Sequence, residues 1–237
     1  GVQTCALPIS NMVHQAELIV EKCFKVIKVK LGGDPTEDIE RVRAIRNAIG
    51  PDIPLRLDAN QGWSKEGAML ALPQLENMNV QYCEEPLPRW QFLELKAVQE
   101  TTYIPILADE SCCTDHDAER LISLGACRGV NIKLGKSAGL VRAQQVAQQA
   151  KAAGWIIQVG GFLESRLGFT AAAHFTMAYP DLDLVDFDTP LMFTQDPIEG
   201  GMTYGKNGLI SLQDVPGLGA SLKPEMINAR EKVVVER

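Results

Sequence analysis

The sequence lacks several features that would assign it to a membrane or nucleic-acid-binding class. No run of apolar residues approaches the ~20 that a membrane-spanning helix needs, so we expect no membrane partner. Basic residues are in the minority, 23 Lys and Arg against 30 Asp and Glu, and they form no cluster. The net charge of −7 repels a phosphate backbone, which excludes nucleic acid as an expected partner.

Cysteine pairs of the metal-binding or redox type are also missing. None of the six cysteines forms a C-x-x-C pair, and the adjacent Cys112 and Cys113 have poor geometry for a disulfide. The first ten residues have neither the positive charge nor the apolar stretch of a signal peptide. We therefore expect reduced thiols and a cytoplasmic location.

What is present is an ordinary globular composition, with 46% hydrophobic and 22% charged residues. The pair Asp34-Pro35 predicts the start of a helix that ends at Gly50. Similar helical patterns alternate with short β-rich runs along the chain. The predicted strands are Val26 to Lys30, Leu55 to Asp58, Val80 to Glu84, Ile104 to Asp109, Gly129 to Lys133, Ile156 to Val159 and Leu184 to Asp186.

The spacing of these strands predicts the fold class. The first six strand ends are 24 to 28 residues apart, which is room for one strand, one helix and two loops. Such a βα repeat indicates a parallel α/β sheet, and one more strand at the front would close a (β/α)₈ TIM-like barrel. A doubly wound open sheet is the alternative, but no glycine-rich phosphate loop follows any strand.

The two ends of the chain fit the barrel less well. Residues 1–10 should contain the first barrel strand, but Pro8 makes this stretch a poor strand. We interpret residues 1–10 as a foreign segment and expect the first strand to be poorly defined or missing. We assign residues 11–195 to the barrel domain and residues 196–237 to a covering segment with a charged tail.

Charged side chains end most of the predicted strands, where the active sites of barrels lie. Asp58, Glu84 and Asp109 end three neighbouring strands, and three carboxylates share a site only with a cation. Because these ligands are all oxygens, we predict a Mg²⁺ site formed by the three residues.

Lysines are expected on both sides of this metal site. Lys28 and Lys30 lie two residues apart on one strand, so both point into the barrel. In a ring of eight strands, Lys30 lies opposite Lys133. One lysine could remove a proton alpha to a carboxylate and the other return it on the opposite face, which predicts epimerisation or racemisation through a metal-stabilised enediolate. A lysine that acts as the base needs a pKa below ~10.4.

Two further carboxylates end the last predicted strand. Asp186 and Asp188 lie across the ring from the strand of Glu84, so they should face the metal across the cavity. On the strand of Lys30, Lys28 could bind substrate or tune the pKa of its neighbours, or it could be a structural partner of Asp58 or Glu84.

Five motifs in order resemble those of the muconate lactonizing enzyme subgroup of the enolase superfamily. They are Lys28-Val29-Lys30, Leu57-Asp58-Ala59-Asn60-Gln61, Glu84-Glu85-Pro86, Ala108-Asp109-Glu110-Ser111 and Ile132-Lys133-Leu134. The resemblance covers about Phe24 to Gly219. It implies that Lys30 and Lys133 are the acid/base pair and that Asp58, Glu84 and Asp109 bind Mg²⁺.

The motif at the end of the last predicted strand indicates a class of substrate. Asp186-Phe187-Asp188 resembles the D-x-D that dipeptide epimerases use to hold a substrate ammonium group. The resemblance implies Mg²⁺-dependent inversion at the C-terminal residue of an L-Ala-L-Xaa dipeptide, without an organic cofactor. It also implies an N-terminal capping domain, which we expect to be absent from this chain.

Two alternatives stay open. One is another reaction of the same subgroup, such as o-succinylbenzoate synthesis or muconate cycloisomerisation, whose substrates bear no ammonium group. The other is a non-catalytic barrel that binds a small ligand or a protein partner. A homo-oligomer is also possible.

Overall fold

The computed structural model describes residues 7–179, 182 and 184–228. Seven parallel strands form one curled sheet in sequential order. The strands are β1 (Ile27–Lys30), β2 (Leu55–Asp58), β3 (Val80–Glu84), β4 (Ile106–Ala108), β5 (Gly129–Lys133), β6 (Ile156–Gly160) and β7 (Leu184–Val185). The helices are α1 (Ile9–Glu21), α2 (Pro35–Ile49), α3 (Lys65–Leu75), α4 (Leu95–Gln99), α5 (Asp115–Leu124), α6 (Leu140–Ala152), α7 (Arg166–Met177) and α8 (Pro224–Asn228).

The strand register aligns the charged ends of the first three strands. Lys30 pairs with Asp58, and Asp58 pairs in turn with Glu84. Asp109 follows directly after β4, the next strand of the sheet. Because parallel strands all end at the same edge of a sheet, the predicted site residues share one rim of the barrel.

The helix boundaries follow from local signals in the sequence. The side chain of Asp34 accepts hydrogen bonds from the backbone N–H groups of Thr36 and Glu37 at the start of α2. Thr114 forms a capping box with Asp117 at the start of α5, which ends at Gly125 in the left-handed conformation. These caps satisfy backbone groups that a helix end leaves without partners, which explains why α2 and α5 begin where they do.

The described residues contain seven parallel strands, whereas the spacing predicts a barrel of eight. Residues 9 and 10 begin helix α1 and no strand precedes β1 within the described part of the chain. The predicted α/β barrel architecture is confirmed, and the expectation of a poorly defined or missing first strand agrees with the seven strands. The interpretation of residues 1–10 as foreign stays a prediction, and residues 1–6 lie outside the described residues.

A single hydrophobic core lies between the sheet and its helices. Leu55, Leu57, Ile106 and Val130 contribute to it from the strands, and all four are fully buried. No helix in the part of the chain that the structure describes is long and apolar enough to cross a bilayer.

The segment after β7 packs onto the end of the barrel. It forms two antiparallel ladders, β8 (Ile198–Gly200) with β11 (Ala220–Leu222) and β9 (Thr203–Tyr204) with β10 (Ile210–Ser211). The guanidinium of Arg166, the first residue of α7, donates hydrogen bonds to the carbonyls of Ile198, Gly200 and Met202. Arg166 is therefore one of the residues that tie the segment to the barrel, together with Thr170, which accepts a hydrogen bond from the N–H group of Met202. The predicted domain boundary at residue 196 stays a prediction.

Candidate active site

Three carboxylates are buried at the rim of the barrel. Asp58 ends β2, Glu84 ends β3 and Asp109 follows β4, and none of the three is more than 1% exposed. The sequence predicts that these side chains converge, and the parallel register does bring their strands side by side. Buried carboxylates need compensating positive charge or protons.

The ammonium group of Lys28 is bound by several of these carboxylates at once. Its Nζ lies 2.8 Å from Glu84 Oε2, 2.8 Å from Asp186 Oδ2 and 3.2 Å from Asp58 Oδ2. Burial acts to lower the pKa of Lys28, but the three carboxylates outweigh it and hold the pKa well above its ordinary value. Lys28 therefore stays charged and joins β1, β2, β3 and the end of β7. The contacts match the structural alternative considered for Lys28, and its contact with substrate stays a prediction.

Lys30 and Lys133 lie against different members of the carboxylate row. Lys30 Nζ is 2.5 Å from Asp58 Oδ2, and Lys133 Nζ donates a hydrogen bond to Asp109 Oδ2. Lys30 is on β1 and Lys133 is on β5, so the row of Asp58, Glu84 and Asp109 separates their strands. That the two lysines act on opposite sides of one ligand stays a prediction.

The pKa of Lys133 is set by burial and by the carboxylates next to it. Burial acts to lower it, but the charges of Asp109 and Glu84 outweigh burial, and the pKa lies above its ordinary value. That a lysine acting as the base needs a pKa below ~10.4 stays a prediction for the site with a cation bound, because a cation would offset the attraction of these carboxylates.

Glu84 is the carboxylate of the row whose pKa is raised, whereas the pKa values of Asp58 and Asp109 are lowered. Burial raises its pKa to about 8, and the negative charges of Asp58 and Asp109 add to this shift. Burial also acts to raise the pKa of Asp109, but Lys136 and Lys133 outweigh it and hold the pKa well below its usual range. Burial and the neighbouring carboxylates therefore disfavour the ionised form of Glu84 more than Lys28 favours it.

Polar side chains below the rim hold Glu84 in place. Asn131 Nδ2 donates to Glu84 Oε1 over 2.7 Å, and Gln158 Nε2 donates to Glu84 Oε2 over 3.2 Å. The hydroxyl of Tyr82 donates in turn to Gln158 Oε1. The sequence analysis missed these residues. Strand alternation could have found Asn131, since it lies two residues before Lys133 on β5 and so shares its face.

Lys136 is another buried partner of the carboxylate row that the sequence analysis does not predict. Its side chain is 6% exposed, and its Nζ lies 2.7 Å from Asp109 Oδ1 and donates to the Asp109 carbonyl. It follows β5 in the loop before α6, where a lysine is usually solvated. Its spacing of three residues from Lys133 gives no signal of burial.

Phe162 covers the other side of Lys133, with the ammonium nitrogen 4.9 Å from the ring centre.

The two predicted ammonium-binding carboxylates lie at the end of β7 and are not equivalent. Asp186 contacts Lys28, and this ion pair outweighs the effect of burial and lowers its pKa. Asp188, by contrast, is exposed to solvent. Both carboxylates line the cavity described next, so the structure keeps them available to one bound molecule.

A cavity of about 800 Å³ opens at this rim and extends along β1 to α1, where Met12, Ala16 and Ile19 line it. It is large enough for a small ligand, because sites of that kind occupy about 300–1,000 Å³. Most of the predicted site residues line it: Lys28, Lys30, Lys133, Asp186 and Asp188. Asn60, Glu110 and Phe162 add to its wall. The three lysines and the two aspartates thus face a common space.

The carboxylate row is chemically suited to a hard divalent cation. Its donors are all oxygens from Asp58, Glu84 and Asp109, which Mg²⁺ prefers over nitrogen or sulfur. As the side chains are placed, no three His, Cys, Asp or Glu residues of the described chain form a preformed metal cluster. Lysine ammonium groups lie against each of the three carboxylates instead. The donor set and the raised pKa of Glu84 fit a cation at this position.

Comparison with known proteins places this site in a family. Residues 11–226 match the family described as enolase C-terminal domain-like. The chain belongs to that family. The D-Ala-D/L-Ala epimerase of Cytophaga hutchinsonii is 47% identical over 225 residues, which are 95% of this chain and 61% of that protein. The L-Ala-D/L-Glu epimerase of Bacillus subtilis is 37% identical over 212 residues, which are 88% of this chain and 58% of that protein.

A solved structure in the family has nearly the same backbone. The dipeptide epimerase from Cytophaga hutchinsonii, complexed with Mg and the dipeptide D-Ala-L-Val, superposes with a TM-score of 0.94 at 46% identity. The match covers 97% of this chain and 62% of that one. The chain therefore spans about three fifths of the length of these relatives.

Proposed function

We propose that this chain carries the catalytic barrel of a dipeptide epimerase, which inverts the α-carbon of the C-terminal residue of L-Ala-L-Xaa dipeptides. One observation carries the proposal. Lys30 on β1 and Lys133 on β5 line the same cavity, and the strands of the buried carboxylate row lie between theirs in the sheet. Two bases that approach one carbon from different sides permit inversion, whereas a single base would return the proton to the same face.

The relatives support the substrate class. Proteins 47% and 37% identical to this chain are named epimerases of D-Ala-D/L-Ala and L-Ala-D/L-Glu. The structural neighbour from Cytophaga hutchinsonii is described with Mg and a dipeptide bound. A dipeptide carries a carboxylate at one end and an ammonium group at the other, and the cavity has complementary groups for both ends.

We assign the proton transfers to the two lysines. The Nζ of one lysine takes the α-proton of the C-terminal residue, and the Nζ of the other gives a proton to the opposite face. The roles of Lys30 and Lys133 exchange when the other epimer is bound. Asp58, Glu84 and Asp109 would hold Mg²⁺, which supplies positive charge to offset the negative charge that develops on the substrate carboxylate.

The remaining site residues orient these groups. Asp186 and Asp188 would bind the substrate ammonium group by charge-assisted hydrogen bonds at the far side of the cavity. Lys28 would keep Asp186 close to the carboxylate row, since its ammonium contacts both Asp186 and Glu84. The pair of aspartates favours a dipeptide over the substrates of o-succinylbenzoate synthases and cycloisomerases, which bear no ammonium group.

The test is α-proton exchange in D₂O. The chain is incubated with a library of L-Ala-L-Xaa dipeptides, with Mg²⁺ or with a chelator, and the mass of each dipeptide is followed. We expect a gain of one deuterium at the C-terminal residue that needs Mg²⁺ and is accompanied by the epimeric dipeptide. A chain shown to be folded by circular dichroism that catalyses no Mg²⁺-dependent exchange would contradict the proposal.

A further inference from the structure

A buried carboxylate outside the cavity joins two loops of the site. Asp38 lies in the first turns of α2 and is fully buried. Its Oδ2 accepts three hydrogen bonds of 2.9 Å, from the backbone N–H groups of Gly32 and Gly33 and from the indole Nε1 of Trp63. Its Oδ1 accepts a fourth, of 2.8 Å, from Arg41 Nη1. A buried carboxylate with four donors around its two oxygens is held in one position.

The donors belong to two different loops. Gly32 and Gly33 directly follow β1, which carries Lys30 at its end. Trp63 lies in the loop that follows β2, which ends at Asp58. Asp38 therefore cross-links the two chain segments that leave the rim immediately after the proposed base and the first carboxylate of the row.

These loops are also in backbone contact, so their relative position has little freedom. Gly32 has a φ of +103°, and a Cβ at this position would lie 2.1 Å from the carbonyl oxygen of Ala59. A Cβ on Gly62 would lie 2.2 Å from the carbonyl oxygen of Gly32. Only glycine permits this approach, and Asp38 is the side chain that holds the two segments together from the helix side.

The next pair of loops is joined by a similar device. The carboxylate of Glu85, which follows β3, accepts hydrogen bonds from the backbone N–H groups of Asp109 and Ser111 and from the Ser111 hydroxyl. A buried carboxylate thus links the loops after β1 and β2, and another links the loops after β3 and β4. The same kind of link therefore fixes two pairs of neighbouring loops at the rim, so it is a feature of the site and not of helix α2 alone.

We propose that Asp38 is a positioning residue for Lys30, which it serves through the loop that follows β1. The inference rests on the proposed epimerase function. Asp38 lies in α2 and acts through Gly32 and Gly33. By joining the loops that follow β1 and β2, Asp38 would hold the ammonium of Lys30 at a constant distance from the carboxylate of Asp58. A base must be held close to the proton that it removes, and misplacement by about 1 Å can cost about 100-fold in rate.

The test compares Asp38→Asn with the unchanged chain. Asparagine has nearly the same volume, but its amide replaces one acceptor oxygen by a donor, so one set of N–H groups loses its partner. We expect kcat for α-proton exchange to fall about 10- to 100-fold, as for other residues that orient active-site groups, while KM changes less than about 3-fold. We also expect faster amide hydrogen exchange in peptides that cover residues 27–34 and 55–64.

Two further variants separate positioning from general destabilisation. Asp34→Ala removes the exposed N-cap of the same helix, whose side chain binds only the N–H groups of Thr36 and Glu37, so it should lower stability and leave kcat unchanged. Trp63→Phe keeps Asp38 but deletes one of its donors, and we expect a fall in kcat of about 3- to 10-fold. If Asp38→Asn does not fold, the kcat of Trp63→Phe alone tests whether Asp38 is a positioning residue.

The outcomes distinguish this inference from the proposed function. If the unchanged chain catalyses no exchange, the proposed function fails, but amide exchange in residues 27–34 still shows whether Asp38 holds the loop. If both Asp38→Asn and Trp63→Phe keep the kcat of the unchanged chain, or if Asp34→Ala lowers kcat as much as they do, Asp38 is not a positioning residue.

Discussion

Replacing Tyr82 with phenylalanine tests whether the polar groups inside the barrel depend on one another. Tyr82 and Gln158 are both fully buried, and the tyrosine hydroxyl donates to Gln158 Oε1. Tyr82→Phe removes that donor and leaves a buried amide oxygen without a partner, which costs about 1–3 kcal/mol. For a chain of this size, a loss of about 2 kcal/mol lowers the melting temperature by about 4–8 °C.

The assay is urea denaturation followed by far-ultraviolet circular dichroism, with the slope and the midpoint fitted separately. Tyr103→Phe is the matched control, because Tyr103 is 93% exposed and its hydroxyl can bind water in both states. In a Gln158→Met background, Tyr82→Phe should cost at least about 1 kcal/mol less than in the unchanged chain, because the unsatisfied oxygen is gone. A Tyr82→Phe variant as stable as Tyr103→Phe would refute the reasoning.

Three other substitutions test separate parts of the structure. Gly32→Ala places a Cβ 2.1 Å from the Ala59 carbonyl at a positive φ, so we expect a loss of at least about 2 kcal/mol in urea denaturation, and an unchanged midpoint would contradict this. Arg166→Met removes the hydrogen bonds that hold residues 198–202, so limited proteolysis should cut this segment first, whereas uniform cleavage would speak against the role of Arg166. Asp186→Asn removes a charge from the proposed ammonium site while Lys28 keeps its other carboxylates, so KM for the dipeptide should rise about 10-fold or more with little change in stability, and an unchanged KM would exclude this role.

The strand ends were the most predictable part of the molecule. A parallel sheet places every strand end at one rim, so an even spacing along the sequence was enough to bring Lys30, Asp58 and Glu84 into one row. The order of the strands followed from the same rule, since consecutive βα units lie next to each other. Local capping signals such as Asp34 then fixed the start of the helix between them.

Side-chain partners across the fold could not be predicted in the same way. The burial of Lys136 on Asp109 depends on the path of a loop, which no periodicity reports. In the sequence, Asp38 looks like an ordinary acidic residue in the first turn of a helix. Only the tertiary structure brings Trp63 to it. The raised pKa of Lys133 has the same origin, because it depends on how closely the carboxylates approach.

The central claim is that Lys30 and Lys133 serve opposite faces of one α-carbon, and single-lysine variants test it most directly. Lys30→Met and Lys133→Met are each incubated in D₂O with the two epimers of the preferred dipeptide, with the exposed Lys25→Met as the control. We predict that each variant loses epimerisation and that each keeps α-proton exchange with one epimer only, the opposite one in the two variants. Exchange of both epimers by either variant, or epimerisation without one of the lysines, would contradict the account.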